Sequence, residues 1–544
     1  MDLLAVDRKL HVERNVLPEH LSLNEPHLDT EKAYPVVVEV RHLQNGRLAS
    51  SQNNIGHPRS HLEIESEEDA VTYEEHANGD RNITEKINAK YLLACDGAHS
   101  WTRRQLRLPM EGEQTDYVWG VMDIIPLTNF PDIRQACAIH SATAGSILNV
   151  PREDRLNRLY IQLGLEDNSS TRAQVTHRTM IKAAQKIMAP YTIDYKHCDW
   201  WSLYKVGQRI SPKFSAEDRI FLAGDAVHTH SPKLGQGMNV SMQDAYNIGW
   251  KLGAVISGSA KLDVLATYEA ERRQVALDLL DADREIARFY ARNPRQRPLV
   301  LKNSTEADIP DFGRIREKMH DFLAGVGITY APSILVAKAA IEHPDTNLTN
   351  GHSNVHNPLL AKRSLAKNIK LGACMPSHKI LNQASARPVQ LATMLKSDGR
   401  WRVLVFAGDI TFPTQAARIK TLGTALAGPD SLLHKYTPSQ QPIDSLIEVL
   451  TIHSSPRTEV DIFDFPDIFH PYHEDLGWDY SKIFVDDVAY HEEDCGVAYA
   501  KYGISREEGC LVVCRPDQHV GYIGALEDVG DVQRYFEGIL IPQA

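Results

Sequence analysis

The chain predicts an α/β protein of several domains, in which a mostly antiparallel β segment interrupts one α/β domain and a second α/β domain follows. Three observations lead there. Apolar runs at 91–95 and 220–223 stop abruptly at Asp96-Gly97 and Gly224-Asp225, as buried strands of α/β sheets do. Between them, 117–206 breaks into short β segments separated by turns. From Lys367 onward, strand-like and helical stretches alternate.

At 544 residues the chain exceeds what a single core supports. Its 42% hydrophobic and 24% charged content is that of a globular protein, with no repeat or low-complexity tract. A net charge of −12 argues against nucleic acid or an anionic membrane as the main partner. No apolar run approaches the roughly 18 residues of a membrane span. The start, MDLLAVDRKLHVERN, lacks the basic-then-apolar order of a secretory signal, so a cytoplasmic protein is expected. The seven cysteines are scattered, none in a CxxC, and read as buried reduced thiols with no metal signature.

Taken in order, the first 35 residues are polar and predict no strand. Val36–Val40, His61–Glu65 and Val71–Glu75 read as extended, and Tyr91–Cys95 as a buried strand. In the following DGAHSWTRR, Ser100 can cap a helix, Asp96 can fix the turn, and Arg103 can reach an anion or carboxylate. An ordinary capped helix with a surface arginine explains the same residues. Strands are expected at Val118–Ile125, Ala136–His140, Ser146–Val150, Arg158–Leu165 and near Asp199–Val206, with a helix at Arg172–Met188. In RLYIQL, Arg158, Tyr160 and Gln162 share one face. That face is either the wall of a polar-lined pocket or a solvent-facing surface.

The stretch Arg219–Leu252 organises the rest. A short strand, a carboxylate at Asp225 and a loop with Pro232, Gly235 and Gly237 lead into a helix. Loop amides and a helix N-terminus can receive negative or carbonyl groups of a large polar cofactor. A plain strand-to-helix connection is the alternative. Ala245, Ile248, Gly249, Leu252, Gly253 and Ile256 fall at the spacing of one buried helix face. A long half-exposed helix covers Lys261–Tyr290. Later strands are expected at Arg402–Ala407, Leu446–Ile452, Lys482–Asp486, Leu511–Arg515 and Val520–Ile523, with a helix at Ala416–Ala427. This cadence is thioredoxin-like, but without a cysteine pair it carries no redox chemistry.

CDGAHSWTRR (Cys95–Arg104) followed downstream by RIFLAGDAVHTHSPKLGQGMN (Arg219–Asn239) resembles the paired flavin signatures of single-component aromatic hydroxylases. NVPRED (Asn149–Asp154), RLYIQL (Arg158–Leu163), WWSLYKVGQR (Trp200–Arg209), TYEAERR (Thr267–Arg273), GACMPSHKILN (Gly372–Asn382) and RWRVLVFAGD (Arg400–Asp409) place the resemblance in the phenol 2-monooxygenase (phenol hydroxylase) branch. The resemblance implies FAD as cofactor, NAD(P)H and O2 as co-substrates, and a C4a-hydroperoxyflavin that oxygenates a phenolic ring. It implies catalytic roles for Tyr160 and Arg152, and substrate contacts from Tyr160, Arg158 and Tyr204. Cofactor contacts are implied for Asp96, Arg103, Tyr160, Asp225, Gly235, Gln236, Gly237, Met238 and Asn239.

The implied architecture is an incomplete FAD-binding Rossmann-like domain (1–116 and 207–290) with an inserted, mostly antiparallel β substrate domain (117–206). A helical or irregular connection (291–366) leads to a C-terminal thioredoxin-like α/β domain (367–544), through which a homodimer is expected. One departure stands out. The family opens on a strand and GxGxxG, yet the first glycine here is Gly46. The resemblance therefore implies that about a hundred or more residues of the usual front, including an active-site aspartate, are absent. Either the sequence is incomplete, or this chain binds FAD weakly or not at all. The other readings are an inactive relative retained for binding or dimerisation, and a hydroxylase of a larger aromatic such as a polyketide.

Overall fold

The computed structural model describes residues 12–24, 33–42, 59–60, 83–141, 143–163, 175–231, 235–290, 320–340 and 359–543; for 59–60, 114–117, 204–206 and 286–290 it describes the backbone alone. The chain forms two compact units, Met1–Ser241 with Ala276–Glu317, and Met242–Val275 with Lys318–Ala544.

The first unit begins with β1 (Val16–Leu23), β2 (Val36–His42), β3 (Arg59–Ser60), β4 (Ile83–Ala89), β5 (Leu92–Ala94) and the short helix α1 (Trp101–Gln105). β1, β2 and β4 form an antiparallel sheet with β2 in the centre. Alternating burial of Val36, Val38 and Val40 explains why β2 was legible. β1 corrects the expectation of a strandless start. In its sequence VLPEHLSL only Leu21 and Leu23 alternate with polar residues and pack on the β2 core, and the pattern is broken upstream by Pro18 and Glu19, where the register shifts between Pro18 and His20. Pairing with β2, rather than its own pattern, makes it a strand, and a proline is tolerated there because β1 lies at a sheet edge. The strands expected at His61–Glu65 and Val71–Glu75 lie outside the described residues.

Next come β6 (Glu111–Thr128), β7 (Cys137–Ser141), β8 (Gly145–Pro151), β9 (Asn157–Leu163), the helix α2 (His177–Met188) and β10 (Ile193–Ile210). They are followed by β11 (Ser215–Ala216), β12 (Ile220–Leu222) and β13 (His228–Thr229). The main sheet runs β13-β10-β6-β9-β8-β7, antiparallel along this path, with β3 alongside β10. One face is apolar: Val118, Met122, Ile124, Leu159, Ile161 and Leu203 pack with Met180, Ala184 and Ile187 of α2. The expected helix start at Arg172 moves to His177 because Thr176 closes a capping box with Thr179. Residues 172–174 are outside the described set.

Two long helices follow, α3 (Gly237–Ile256) and α4 (Asp263–Tyr290). The buried side of α3 differs from the expected one. Ile248 and Leu252 are buried, but Ala245, Gly249 and Gly253 are exposed and Ile256 is 56% exposed. Asp244, Asn247 and Lys251 take the inward positions instead. Each has a partner from α4: Arg272 Nε donates to Asp244 (2.6 Å), while Lys251 Nζ and Asn247 Nδ2 donate to Glu271 (2.8 Å each). Hydrophobic periodicity ranks these side chains as outward. Paired and hydrogen-bonded, they become acceptable inside.

The second unit adds β14 (Lys338–Ala339), β15 (Leu360–Ala361), β16 (Lys379–Asn382), β17 (Pro388–Gln390), β18 (Trp401–Gly408), α5 (Pro413–Ala427) and β19 (Ile447–His453). The hairpin β20 (Tyr472–His473) and β21 (Gly477–Trp478), then β22 (Ile483–Val485), β23 (Cys510–Cys514), β24 (Val520–Gly524) and α6 (Val529–Glu537), follow, with short helical turns between them. Its main sheet runs β17-β16-β22-β19-β18-β23-β24, with β22, β19 and β18 parallel. β18 is buried on both faces: Trp401, Val403 and Val405 join one core, Leu404 and Phe406 the other. Leu335, Ala337 and Ala361, from the stretch read as a connection, lie in the first of these cores.

Arg515, just past β23, sits at the centre of a buried ionic cluster. Its guanidinium donates to Glu271 (2.5 and 2.9 Å) and to Asp517 (3.0 and 2.6 Å), and stands over the rings of Trp250 and Tyr330. Cys495, Cys510 and Cys514 are buried free thiols as expected, but Cys137, Cys198 and Cys374 are only partly buried and Cys95 is exposed; it lies just past β5, a strand expected to be buried in which Leu93 is also exposed. Among the described residues, no helix is long and apolar enough to cross a membrane.

Candidate active site

The two sequence motifs meet at one sheet edge. β12 lies parallel to β5, pairing Ile220 with Leu92 and Leu222 with Ala94. Ala223 N donates to Ala94 O (3.0 Å), extending the ladder to the ends of both strands. Parallel strands present their carboxyl ends on the same side, the side where α/β sheets bind ligands. The turns at Asp96 and at Gly224-Asp225 are therefore neighbours. β12 is wholly buried, which explains its unbroken apolar run.

At the first turn, Ser100 caps α1 by accepting from Arg103 N (2.9 Å), and the Asp96 carboxylate accepts from Thr102 N (2.9 Å). Arg103 was expected to reach an anion or carboxylate. Its guanidinium instead donates to two backbone carbonyls, Ala226 (2.6 Å) and Ala98 (2.9 Å), and is 7% exposed. Burial lowers its pKa, against the opposing pull of Asp96. In this arrangement Arg103 ties the first turn to the second, a contact between residues far apart in sequence.

At the second turn, Asp225 is exposed within the single 3-10 turn Gly224–Ala226. Gly224 has φ +62°, and a Cβ there would lie 2.9 Å from the Cβ and Oγ of Ser241, in the first turns of α3. Absence of a side chain lets α3 start directly against the Asp225 turn. We expect Gly224→Ala to cost about 1–3 kcal/mol from backbone strain and this clash together. Thermal melting checks the loss, and an unchanged midpoint would contradict it.

The loop Gly235–Asn239 opens α3. Gly235 has φ +65°, and a Cβ on Gly237 would stand 3.0 Å from His230 Nε2. Val240 N donates to Gln236 O, closing the first helical turn, so the amides of Gly237, Met238 and Asn239 lie at the helix's positive end. Met238 is 73% exposed and Asn239 is exposed. The segment before this loop is held by Asp283 of α4, which accepts from Gln208 Nε2 (2.7 Å) and Ser231 N (2.8 Å), and from the Ser231 hydroxyl.

A polar wall stands on the sheet face opposite α2. Burial alternates strictly along β9: Asn157, Leu159, Ile161 and Leu163 are buried, while Arg158, Tyr160 and Gln162 are half-buried. Register places Trp200, Asp123 and Arg158 in one cross-strand row, and Ser202, Val121 and Tyr160 in the next. Backbone pairing puts Tyr204 opposite Trp119 in a third row with Gln162; the Tyr204 side chain is outside the described set. The Asp123 carboxylate, 2% exposed, accepts from Arg158 Nε and Nη2 (2.7 Å each) and from Arg152 Nη1 (2.5 Å). The other Arg152 nitrogen, Nη2, donates to Glu153. Arg158 stands 5.5 Å from the Trp200 ring, and its hydrogen bonds to Asp123 raise its pKa, with Tyr160 adding to the same direction.

The expected residues thus fall into two groups: Asp96, Arg103, Asp225 and the Gly235–Asn239 loop around the strand ends, and Arg152, Arg158 and Tyr160 on the wall. Sequence reading missed Asp123, Asp283 and Ser241. Asp123 left a signal, a lone carboxylate inside the apolar run VWGVMDII. Asp283 and Ser241 left none, because their roles depend on contacts distant in sequence.

Solved structures of a flavin-dependent monooxygenase and of a hydroxylase share this fold. The monooxygenase PieE in complex with FAD and substrate matches at TM-score 0.55 and 17% identity, over 96% of this chain and 74% of that one. OxyS anhydrotetracycline hydroxylase from Streptomyces rimosus matches at 0.53 and 18%, over 96% and 74%. The FAD binding domain model matches residues 31–283, and the phenol hydroxylase C-terminal dimerisation domain model matches 328–544. Phenol 2-monooxygenase fsqG of Aspergillus fumigatus is 38% identical over 84% of this chain and 71% of its own length. For 3-hydroxybenzoate 4-monooxygenase of Comamonas testosteroni the figures are 36%, 84% and 69%. The chain belongs to the phenol hydroxylase family of FAD-dependent aromatic hydroxylases.

The residues present suit the flavin half of FAD. Gly224 keeps the Asp225 turn and the start of α3 in direct contact, in a space a Cβ would fill. Asp225 offers an exposed acceptor for hydroxyl groups, and the α3 amides offer donors at a positive helix end.

Proposed function

We propose that this chain is a monooxygenase that hydroxylates a phenolic ring with O2 and NAD(P)H. FAD, when bound, supplies reduction by NAD(P)H and activation of O2. The observation that carries the reading is the parallel pairing of β5 with β12, which sets both flavin motifs on one sheet edge, joined by Arg103. Asp225 would hold the ribityl hydroxyls, and the amides of Gly235, Gln236, Gly237, Met238 and Asn239 the ring edge. Arg103 ties the two turns together, and Asp96 fixes the first.

On the wall, Tyr160 and Arg158 would orient the phenol oxygen, with Arg152 and Tyr204 beside them. A phenol hydroxyl that both donates and accepts, next to a fixed cation, can bind the substrate oxygen and favour its deprotonated form, whose electron release activates the ring toward an electrophilic oxygen. Architecturally we read a Rossmann-like FAD domain, an inserted β substrate domain and a thioredoxin-like C-terminal domain. That last domain would form a homodimer, in a cytoplasmic protein.

The test is direct. The purified chain, supplied with FAD, should show flavin absorption and oxidise NAD(P)H faster when phenol is added, yielding catechol. A protein that takes up no FAD would sink the proposal. Tyr160→Phe should lower hydroxylation about 10- to 100-fold, as loss of one hydrogen bond to a charged oxygen does, and by much more than it lowers flavin content. Parallel loss of flavin would show that Tyr160 serves to hold the cofactor rather than the phenol.

A further inference from the structure

We propose that Asp123 is the specificity-determining residue of the wall, selecting uncharged phenols over ring-carboxylated ones; the inference rests on the functional reading above. A guanidinium binds a carboxylate best through two parallel N–H groups. In Arg158 that fork, Nε with Nη2, is already closed on the two oxygens of Asp123. In Arg152 the two terminal nitrogens are divided between Asp123 and Glu153. Both cations of the wall are thus paired with carboxylates of the chain itself. Asp123 is 2% exposed and directly opposite Arg158 in the sheet, with Trp200 on its other side.

A substrate carboxylate would have to displace this buried partner or take the remaining Nη1–Nη2 edge of Arg158 beside a like charge, which costs affinity. A neutral phenol makes no such demand, since one N–H of Arg158 and the Tyr160 hydroxyl suffice for its oxygen. Asp123 touches neither substrate nor cofactor in this scheme; it acts by occupying Arg158.

The experiment measures calorimetric dissociation constants of phenol and 3-hydroxybenzoate for the FAD-loaded protein. Wild type should bind phenol at least about tenfold more tightly, and Asp123→Asn should shift the ratio about tenfold or more toward 3-hydroxybenzoate. In an Arg158→Ala background the same change should leave the ratio within about twofold, because the fork is gone. A merely structural Asp123 would weaken both ligands together, and that result overturns the proposal. So does a wild type that prefers 3-hydroxybenzoate. If Asp123→Asn does not fold, Glu153→Gln, at an exposed residue, frees one Arg152 nitrogen and should shift the ratio the same way by a smaller factor; no shift overturns the proposal. Should wild type bind neither aromatic, the functional reading itself falls.

Discussion

Asp225→Ala is expected to purify with little or no flavin and to take up added FAD at least about tenfold more weakly than wild type. The loss corresponds to a charged hydrogen bond, about 1.5–3 kcal/mol. Asp225 is exposed at the tip of the second turn, so its removal costs the fold little. Melting of the flavin-free protein should move by less than about 1 kcal/mol in stability. Fluorescence titration with FAD measures the affinity. Equal flavin retention in Asp225→Ala and Tyr160→Phe would undo the division of labour between strand edge and wall.

Glu271→Ala is expected to destabilise the second unit by about 3–5 kcal/mol, because it leaves buried cations short of their carboxylate. Lys251 and Arg515 are both fully buried, and Glu271 accepts from both. Burial alone would raise the Glu271 carboxyl, but Arg515 and Lys251 outweigh it and hold the group at about 2. A folded value below the ordinary 4.5 means this contribution is complete above about pH 4.5 and fades as pH falls through 2. Glu271→Gln should therefore lose stability at neutral pH and show a shallower acid limb than wild type. Urea unfolding at several pH values reads both effects. A midpoint unchanged at pH 7 would refute the ionic account of this cluster.

The same cluster shows where sequence reasoning stops. Periodicity placed Gly249, Gly253 and Ile256 inside, because a pattern of residue types cannot foresee that Asp244 and Lys251 will meet Arg272 and Glu271. Arg103 is similar. Its spacing from Asp96 and Ser100 was visible, but its acceptor, the Ala226 carbonyl, lies 123 residues along the chain. The β1 edge strand carries only a short alternation, Leu21 and Leu23, interrupted upstream by Pro18 and Glu19, and it is held as a strand by its pairing with β2.

By itself the sequence determined the α/β class, most strand positions, the two signature turns and the half-polar face of β9. Those features follow from local rules: apolar runs bury, alternation sets faces, and glycine with aspartate ends a strand. Only the tertiary structure decided that both turns share one sheet edge, that α3 buries charge, and that Asp123 occupies the arginines beside Tyr160. Each depends on partners distant in the chain, whose pairing is set by strand register and helix packing.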